Sequence, residues 1–370
     1  MNRAVGARRI GEAMIVKSPF DPRLGVIPEL VAACDWPVAE FSASAPRGCL
    51  LLGFPGAGKT TVLDGLEQAA RNNNWAVIAE NATAGVSARF RDAHVPALMD
   101  ALGISVHGRR VTGVSAPQFF GVARQEQSSS AGVLHESFKQ IVEVLAQHNS
   151  GVLITIDDLN AHTFTEFEEI FAAIAPLLRA SAYVRVVATM SPYEFGKLPQ
   201  NKQELPGCVI EKCAPLSLTQ VRELFINAAA QLEWQWEETA LTKAVAATHG
   251  YPLLVQLIGH HCIDAAKQSG RLDDLCVQQA QSIALQEFAE LVVRPLLAEL
   301  SGLDLVFLQA VAAEEGPVKI ANIVARMGRS ADTIAQYRRR LVDRGLLEMA
   351  RRGWVDFALP GMRECLRQLH

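Results

Sequence analysis

The sequence lacks several features that would assign it to common classes of protein. No run approaches the roughly 18 consecutive apolar residues of a membrane-spanning helix, and we expect a cytoplasmic protein with no membrane partner. Its seven cysteines are an odd number without metal-type pairing, which argues against a disulfide framework. The basic start lacks a signal-peptide core, so 1–17 is interpreted as a flexible tail. At a net charge of −4, any attraction to nucleic acid must rest on a local patch.

The stretch Gly53–Thr60 fits the phosphate-loop pattern of Gly, four residues and Gly-Lys-Thr, between an apolar strand pattern and a helical one. Its glycines let backbone N–H groups curl around phosphate oxygens, Lys59 neutralises phosphate charge and Thr60 can ligate Mg²⁺. ATP with Mg²⁺ is therefore the predicted ligand. The predicted nucleotide-binding residues in this stretch are Gly53, Pro55, Gly56, Ala57, Gly58, Lys59, Thr60 and Thr61.

Strands and helices alternate after this loop, which predicts a three-layer α/β/α domain with a parallel sheet. The β-branched apolar run 152–156 is typical of a buried parallel strand and ends in Asp157 and Asp158. We expect this strand to lie beside the phosphate-loop strand and to carry both acids to the edge where such sheets bind ligands. Asp157 would then hold Mg²⁺ and Asp158 would polarise the attacking water, the alternative being a pair that caps the next turn.

A further buried-strand pattern ends at Thr189, which is placed either to sense the γ-phosphate or simply to form a turn. Lys59, Asp158 and Thr189 are the predicted catalytic residues. Thr60 and Asp157 are the predicted metal ligands.

From Ser217 the pattern changes to one helix after another, which predicts a helical lid. Ser217 and Gln220 have the spacing of a capping box, and Pro252 stands where a helix can begin. His260 and His261 are interpreted as ordinary helix-surface histidines, since no cysteine or carboxylate is expected at ligand spacing.

The segment 301–370 predicts a separate winged helix-turn-helix, made of three helices and a hairpin over 346–357. Between Lys319 and Arg352 there are nine Lys or Arg residues and three acids, a local charge of +6 that phosphate binding explains. Double-stranded DNA is the predicted partner, and a winged helix that docks protein is the alternative. The predicted DNA contacts lie on the outward face of the third helix and in the hairpin: Thr333, Gln336, Arg339, Arg340, Arg351 and Arg352.

In this order the motifs resemble those of AAA+ and STAND-type P-loop ATPases of the archaeal origin-recognition and archaeal-ATPase kind, and of bacterial ATP-binding proteins that end in a winged helix. The run Ser18–Gly25 resembles the family's adenine-side segment, and Gly250-Tyr251-Pro252 resembles its Gly-x-Pro lid motif. Residues 337–341 with 357–360 resemble its C-terminal signature. The resemblance implies that Phe20 and Gly25 line the adenine pocket and that Pro252 touches the nucleotide.

The sequence also departs from that family. Residues 33–36 are Ala-Cys-Asp-Trp where relatives have a Gly-Arg-acid run, and no arginine follows Pro252 as a second sensor. Asp158 stands where additional-strand ATPases usually carry glutamate, one methylene longer. Slow hydrolysis is therefore expected.

The expected organisation is a tail (1–17), an ATPase domain (18–215), a helical lid (216–300) and a winged helix (301–370). The expected function is an ATP-controlled switch for DNA binding that hydrolyses slowly. Two alternatives stay open: a STAND-like signalling scaffold whose winged helix docks protein, with nucleotide-dependent assembly, and a DNA-stimulated motor or transposition helper.

Overall fold

The computed structural model describes residue 20 and residues 47–104, 130–203, 205–267 and 269–368. This part of the chain divides into two compact units. The sheet unit holds 47–53 and 62–213, and the helical unit holds Phe20, 54–61 and 214–368. Gly25 and the segments 1–17 and 33–36 lie outside the described residues, so the predictions made for them are untested.

Five parallel strands form the sheet of the first unit, in the order β2-β3-β4-β1-β5. β1, β3 and β4 are buried along nearly their whole length, as strands paired on both sides require. The strands are β1 (Gly48–Leu52), β2 (Ala76–Asn81), β3 (Val152–Leu159), β4 (Val184–Met190) and β5 (Cys208–Lys212).

This strand order corrects one expectation. The acid-bearing strand β3 does not lie beside the phosphate-loop strand β1, because β4 pairs with both and separates them. The apolar runs of the three strands are equally suited to a central position, so their composition carries no information about which of them are neighbours.

The sheet unit contains a further set of helices that pack on these strands. Phe138 and Phe167 are fully buried in one core with Ile154 of β3. The helices are α1 (Lys59–Asn72, whose first residues belong to the helical unit), α2 (Val86–Arg89), α3 (Val95–Ala101), α4 (Ser130–Gln147), α5 (Phe164–Ala180) and α6 (Pro192–Gly196), with a π turn at Phe90–His94 and a 3₁₀ turn at Gln200–Lys202.

The helical unit begins with the predicted lid helices. The capping box is confirmed: the Gln220 N–H donates to Ser217 Oγ at 3.2 Å, and the Ser217 N–H donates to the Gln220 side chain at 2.9 Å. The elements are α7 (Leu218–Gln231), β6 (Gln235–Trp236), α8 (Glu238–Ala247), α9 (Pro252–Ala266), β7 (Arg271–Leu272), α10 (Asp274–Phe288), a π turn (Ala289–Val293) and α11 (Arg294–Ala298).

The rest of the unit, 302–368, is called the C-terminal module here. Three helices come first, and Gly328 in the left-handed conformation separates the second from the third. A three-stranded antiparallel sheet has the order β8-β10-β9. The elements are α12 (Gly302–Ala312), β8 (Val318–Lys319), α13 (Ile320–Met327), α14 (Ala331–Asp343), β9 (Leu347–Arg351), β10 (Trp354–Phe357) and α15 (Met362–Gln368). Across all the described ranges, no helix is long and apolar enough to cross a membrane.

Candidate functional site

The backbone of the phosphate loop turns through two left-handed glycines, Gly56 (φ 83°) and Gly58 (φ 88°). Glycine is required at 56 for a second reason, because a Cβ there would lie 2.7 Å from the side chain of Leu253. The Leu253 N–H also donates to the Gly56 carbonyl at 3.1 Å. Left-handed residues thus alternate along the loop with residues of negative φ, as in an anion-binding nest. The bond from Leu253 holds the first turn of α9 against the loop.

The side chains of the loop range from buried to exposed. Lys59 is nearly buried, and its ammonium donates to the Phe54 carbonyl of the same loop at 3.4 Å. Thr60 is exposed at the first turn of α1, Thr61 is half-buried and Ala57 is buried. The charge of Lys59 is therefore held within the loop, close to where the nest would receive a phosphate.

Two other predicted nucleotide residues take different positions. Gly53 is buried at the end of β1, and its N–H donates to the Met190 carbonyl at 3.1 Å, so that N–H serves the sheet rather than a phosphate. Pro252 begins α9, and its ring lies 3.6 Å from the position of a Cβ on Gly58. Its contact with nucleotide stays a prediction that this position suits.

Asp157 and Asp158 come just before Leu159, the last residue of β3, at a break in register where β3 shifts against β4 between Ile156 and Leu159. Asp158 is exposed and left-handed (φ 59°), a conformation uncommon for a residue with a side chain. The Thr189 hydroxyl donates to Asp157 Oδ1 at 2.5 Å and accepts from the Asp158 N–H at 2.8 Å.

Thr189 therefore fixes both acids at the edge of the sheet. It is fully buried, and its single hydroxyl proton is engaged with Asp157. Direct sensing of a γ-phosphate would require that bond to break, so the predicted sensing role, which is untested, competes with this positioning role.

Acidic side chains that the sequence analysis did not select lie in the same part of the sheet unit. Thr155 of β3 donates to Glu67 Oε1 at 2.6 Å. Partial burial, followed by the charges of Glu67 and Asp157, raises the pKa of Asp64. Like charges gathered in this way favour a cation, as the magnesium prediction requires. The signal was present in the sequence as the i, i+3 spacing of Asp64 and Glu67 on α1.

Phe20 was predicted to line an adenine pocket. Its ring is 2% exposed and packs edge-on against Phe225 of α7, with centroids 5.5 Å apart. A Cβ on Gly259 of α9 would lie 2.7 Å from the same ring. Phe20 is thus part of the packing between α7 and α9, and its adenine role stays a prediction.

A carboxylate does lie near His260 and His261, so the expectation that none would be at ligand spacing is wrong. Asp264 lies one turn after His260, and ligand atoms of the three residues come within 4.8 Å of one another. However, His261 lies 3.2 Å from Glu287, and Lys267 lies 2.6 Å from Asp264. Two of the three side chains therefore already have a neighbour of ionisable type in the helical unit, Lys267 beside Asp264 and Glu287 beside His261.

On the C-terminal module, four of the predicted DNA contacts are exposed: Gln336, Arg339, Arg351 and Arg352. Arg351 lies over the Trp354 ring at 4.0 Å from its centroid, which holds its guanidinium on the outer side of the hairpin. Thr333 is half-buried beside the helix cap, with its hydroxyl 2.9 Å from Ser330 Oγ.

Arg340 differs from the prediction that it points freely outward. Its Nε donates to Asp304 Oδ1 at 3.0 Å, and Asp304 is 2% exposed. Its guanidinium also lies over the Tyr337 ring. The helical projection of α14 correctly places Arg340 near the outer face, but it cannot reveal a buried acid on α12.

Internal pairing also reduces the basic surplus of the module. Arg326 lies 3.2 Å from Glu314, an acid outside the interval Lys319–Arg352. Over the whole segment 301–370 there are eleven Lys or Arg residues and eight acids, a net charge of only +3. The exposed cations of the interval that remain for a polyanion are Lys319, Arg329, Arg339, Arg351 and Arg352.

Comparison with known proteins agrees with the fold. Residues 290–366 match a family model described as a domain of unknown function (DUF8462). No curated protein sequence matches the chain significantly. The structure is similar to that of the Walker-type ATPase PABY2304 of Pyrococcus abyssi, with a TM-score of 0.59 and 14% identity over 89% of this chain and 93% of that one.

Two further solved structures are similar at lower scores. Cdc6p from Pyrobaculum aerophilum has a TM-score of 0.43 and 16% identity, over 97% of this chain and 98% of that one. The Orc1 protein of Aeropyrum pernix, solved in complex with DNA, has a TM-score of 0.37 and 17% identity, over 95% and 93%. The predicted fold class is confirmed: this chain has an α/β P-loop ATPase fold.

Proposed function

We propose that this protein is an ATP-binding switch that hydrolyses slowly and controls double-stranded DNA binding through the C-terminal module, interpreted as a winged helix-turn-helix. The observation that carries this proposal is the phosphate loop, with left-handed Gly56 and Gly58 and the nearly buried Lys59. The first turn of α9 is bonded to that loop through Leu253. Loop, lid helices and C-terminal module belong to one compact unit, which supports communication among them.

The donor set fits MgATP. Backbone N–H groups of the glycine-rich loop and the ammonium of Lys59 suit the phosphates, and the exposed Thr60 hydroxyl suits the metal. Asp157, positioned by Thr189, is the carboxylate proposed as the other metal ligand. When bound, Mg²⁺ would neutralise charge on the phosphate oxygens.

The slow ATP hydrolysis that we propose follows from the nature of the proposed base, Asp158. Asp158 is proposed to accept a proton from the attacking water, but its carboxylate is one methylene shorter than glutamate. Its backbone N–H is bonded to the Thr189 hydroxyl, so a backbone shift that made up for the missing methylene would have to break that bond. The residue after Pro252 is Leu253, which cannot supply the positive charge of a second sensor.

The test is DNA binding by the full chain, titrated with salt, in the presence of ATP, of ADP and of no nucleotide. Lys59→Ala serves as the matched variant, because it removes the phosphate cation from the loop. We expect salt-sensitive binding whose affinity differs between ATP and ADP in the native chain but not in Lys59→Ala. Normal ATP affinity in Lys59→Ala would contradict the nucleotide site, and equal DNA affinity in all states would contradict the switch.

A second candidate, a signalling scaffold whose module docks protein, is favoured by one feature of α12. Leu303 and Val306, one turn apart on that helix, are 41% and 43% exposed. ATP-dependent assembly without DNA affinity at low salt would support this function instead. Strong stimulation of turnover by DNA would support a motor.

A further inference from the structure

We propose that Tyr251 is the positioning residue that couples the phosphate loop to the C-terminal module. Its hydroxyl donates to the Pro55 carbonyl at 2.8 Å, so it holds the exposed outer turn of the loop. Its ring packs edge-on against Phe288, with centroids 5.6 Å apart. The inference rests on the proposed function, which it deepens by naming the residue that transmits the state of the nucleotide site.

The first link depends on how the chain enters α9. His249 (φ 49°) and Gly250 (φ 70°) are successive left-handed residues, which reverse the chain sharply before Tyr251. A Cβ on Gly250 would lie 2.1 Å from the Leu216 carbonyl oxygen, so only glycine fits there. This turn fixes the direction in which the phenol leaves the backbone, and Tyr251 is 4% exposed.

The second link runs from Phe288 to the module. Phe288 is the last residue of α10 and is fully buried. A Cβ on Gly361, at the start of α15, would lie 3.3 Å from its ring, and the Cys365 thiol of α15 lies 3.7 Å from the Leu285 carbonyl of α10. The end of α10 therefore packs directly against the last helix of the module, and a side chain at 361 would have to push the Phe288 ring or its neighbour Leu254 aside.

A displacement of the loop at Pro55 would act on both links. A buried tyrosine hydroxyl needs a partner, so the phenol either follows the carbonyl or loses its bond. If it follows, the ring must slide against Phe288, since a close-packed interior transmits such strain.

The experiment is hydrogen exchange followed by mass spectrometry on the full chain, without nucleotide and with MgATP or MgADP. In the native chain we expect nucleotide to change exchange both in the loop, 54–61, and in α15. Tyr251→Phe keeps the ring and removes only the hydroxyl. It should retain the change in the loop while the ATP-dependent change in α15 falls by about two- to tenfold, the range expected for one hydrogen bond.

Two further variants test the interpretation. Tyr183→Phe removes another tyrosine hydroxyl, 3.3 Å from Asn149 in the sheet unit, and should leave both changes intact. Phe288→Leu keeps an apolar side chain but removes the ring contact, and should weaken the change in α15 as Tyr251→Phe does.

The possible failures are distinguishable. Absence of any exchange change in the loop of the native chain would overturn the proposed nucleotide site. A change in the loop with none in α15, or an unaltered change in α15 of Tyr251→Phe, would overturn the coupling role alone. Because the readout does not use DNA, failure of DNA binding leaves this test decisive.

Discussion

Replacing Arg340 by alanine should destabilise the C-terminal module much more than the same change at its neighbour Arg339. The carboxylate of Asp304 is buried and accepts bonds from the Ser301 hydroxyl at 2.7 Å and from Arg340 Nε at 3.0 Å. Arg340→Ala leaves that carboxylate with its hydrogen bond from Ser301 but without a paired cation. Arg339 is exposed on the same helix, which makes it the matched control.

The expected magnitude follows from the burial of the two partners. Removing one partner of a fully buried ion pair costs about 3–5 kcal/mol. Here the Arg340 side chain is 41% exposed, so water already screens part of the interaction. Since Ser301 still bonds to Asp304, we expect a loss of about 1.5–3 kcal/mol for Arg340→Ala, and at most about 0.5 kcal/mol for Arg339→Ala.

The loss should depend on pH in a definite direction. Burial by itself would raise the pKa of Asp304, but hydrogen bonds from Ser301 and Arg340 outweigh it and lower that pKa below its ordinary value. A carboxylate with a lowered folded pKa contributes stability above its unfolded pKa of about 3.9, and this stability is lost as pH falls through the folded value. The difference in free energy of unfolding between the native chain and Arg340→Ala should therefore be constant near neutral pH and become smaller below about pH 4.

The measurement is urea unfolding of the native chain and both variants, followed by far-ultraviolet circular dichroism at pH 7 and across the acid range. An Arg340→Ala variant no less stable than Arg339→Ala at pH 7 would refute the reasoning. A difference in unfolding free energy that increases in acid would also refute it, because a protonated Asp304 has no charge for Arg340 to balance.

Two further predictions concern chemistry and DNA. Asp158→Asn should fold normally, because asparagine tolerates the left-handed conformation. It should keep ATP affinity while the rate of ATP hydrolysis falls, and an unchanged rate would show that Asp158 is not the base. Arg339→Ala should weaken DNA binding and reduce the steepness of log K against log salt by about 0.9, the value for one phosphate contact, so an unchanged slope would remove Arg339 from the interface.

Local chemistry was the part of this structure that sequence predicted well. Residues a few positions apart determine the capping box at Ser217, the start of α9 at Pro252 and the placing of two acids just before the end of β3. A second capping box, Ser301 with Asp304, has the same spacing in the sequence and was not predicted.

Relations between distant segments were the part that sequence could not supply. The position of β4 between β1 and β3 is set by pairing, and the apolar runs do not distinguish one pairing from another. Thr189 illustrates the consequence: a polar residue at a strand end suggested phosphate sensing. In the structure its hydroxyl donates to Asp157 and accepts from the N–H of Asp158, contacts that the sequence did not reveal, and the sensing role stays a prediction. The same limit applies to Arg340, whose partner lies on another helix.

The charge of the module bears on what kind of DNA binding is to be expected. Arg326 and Arg340 are paired internally, so fewer cations are available to release counterions from a duplex than the nine between Lys319 and Arg352 suggest. With fewer phosphate contacts, affinity should be more sensitive to how the exposed Arg339, Arg351 and Arg352 are presented. A small nucleotide-dependent shift of α15 would then change occupancy considerably, whereas a broad basic face would bind in either state.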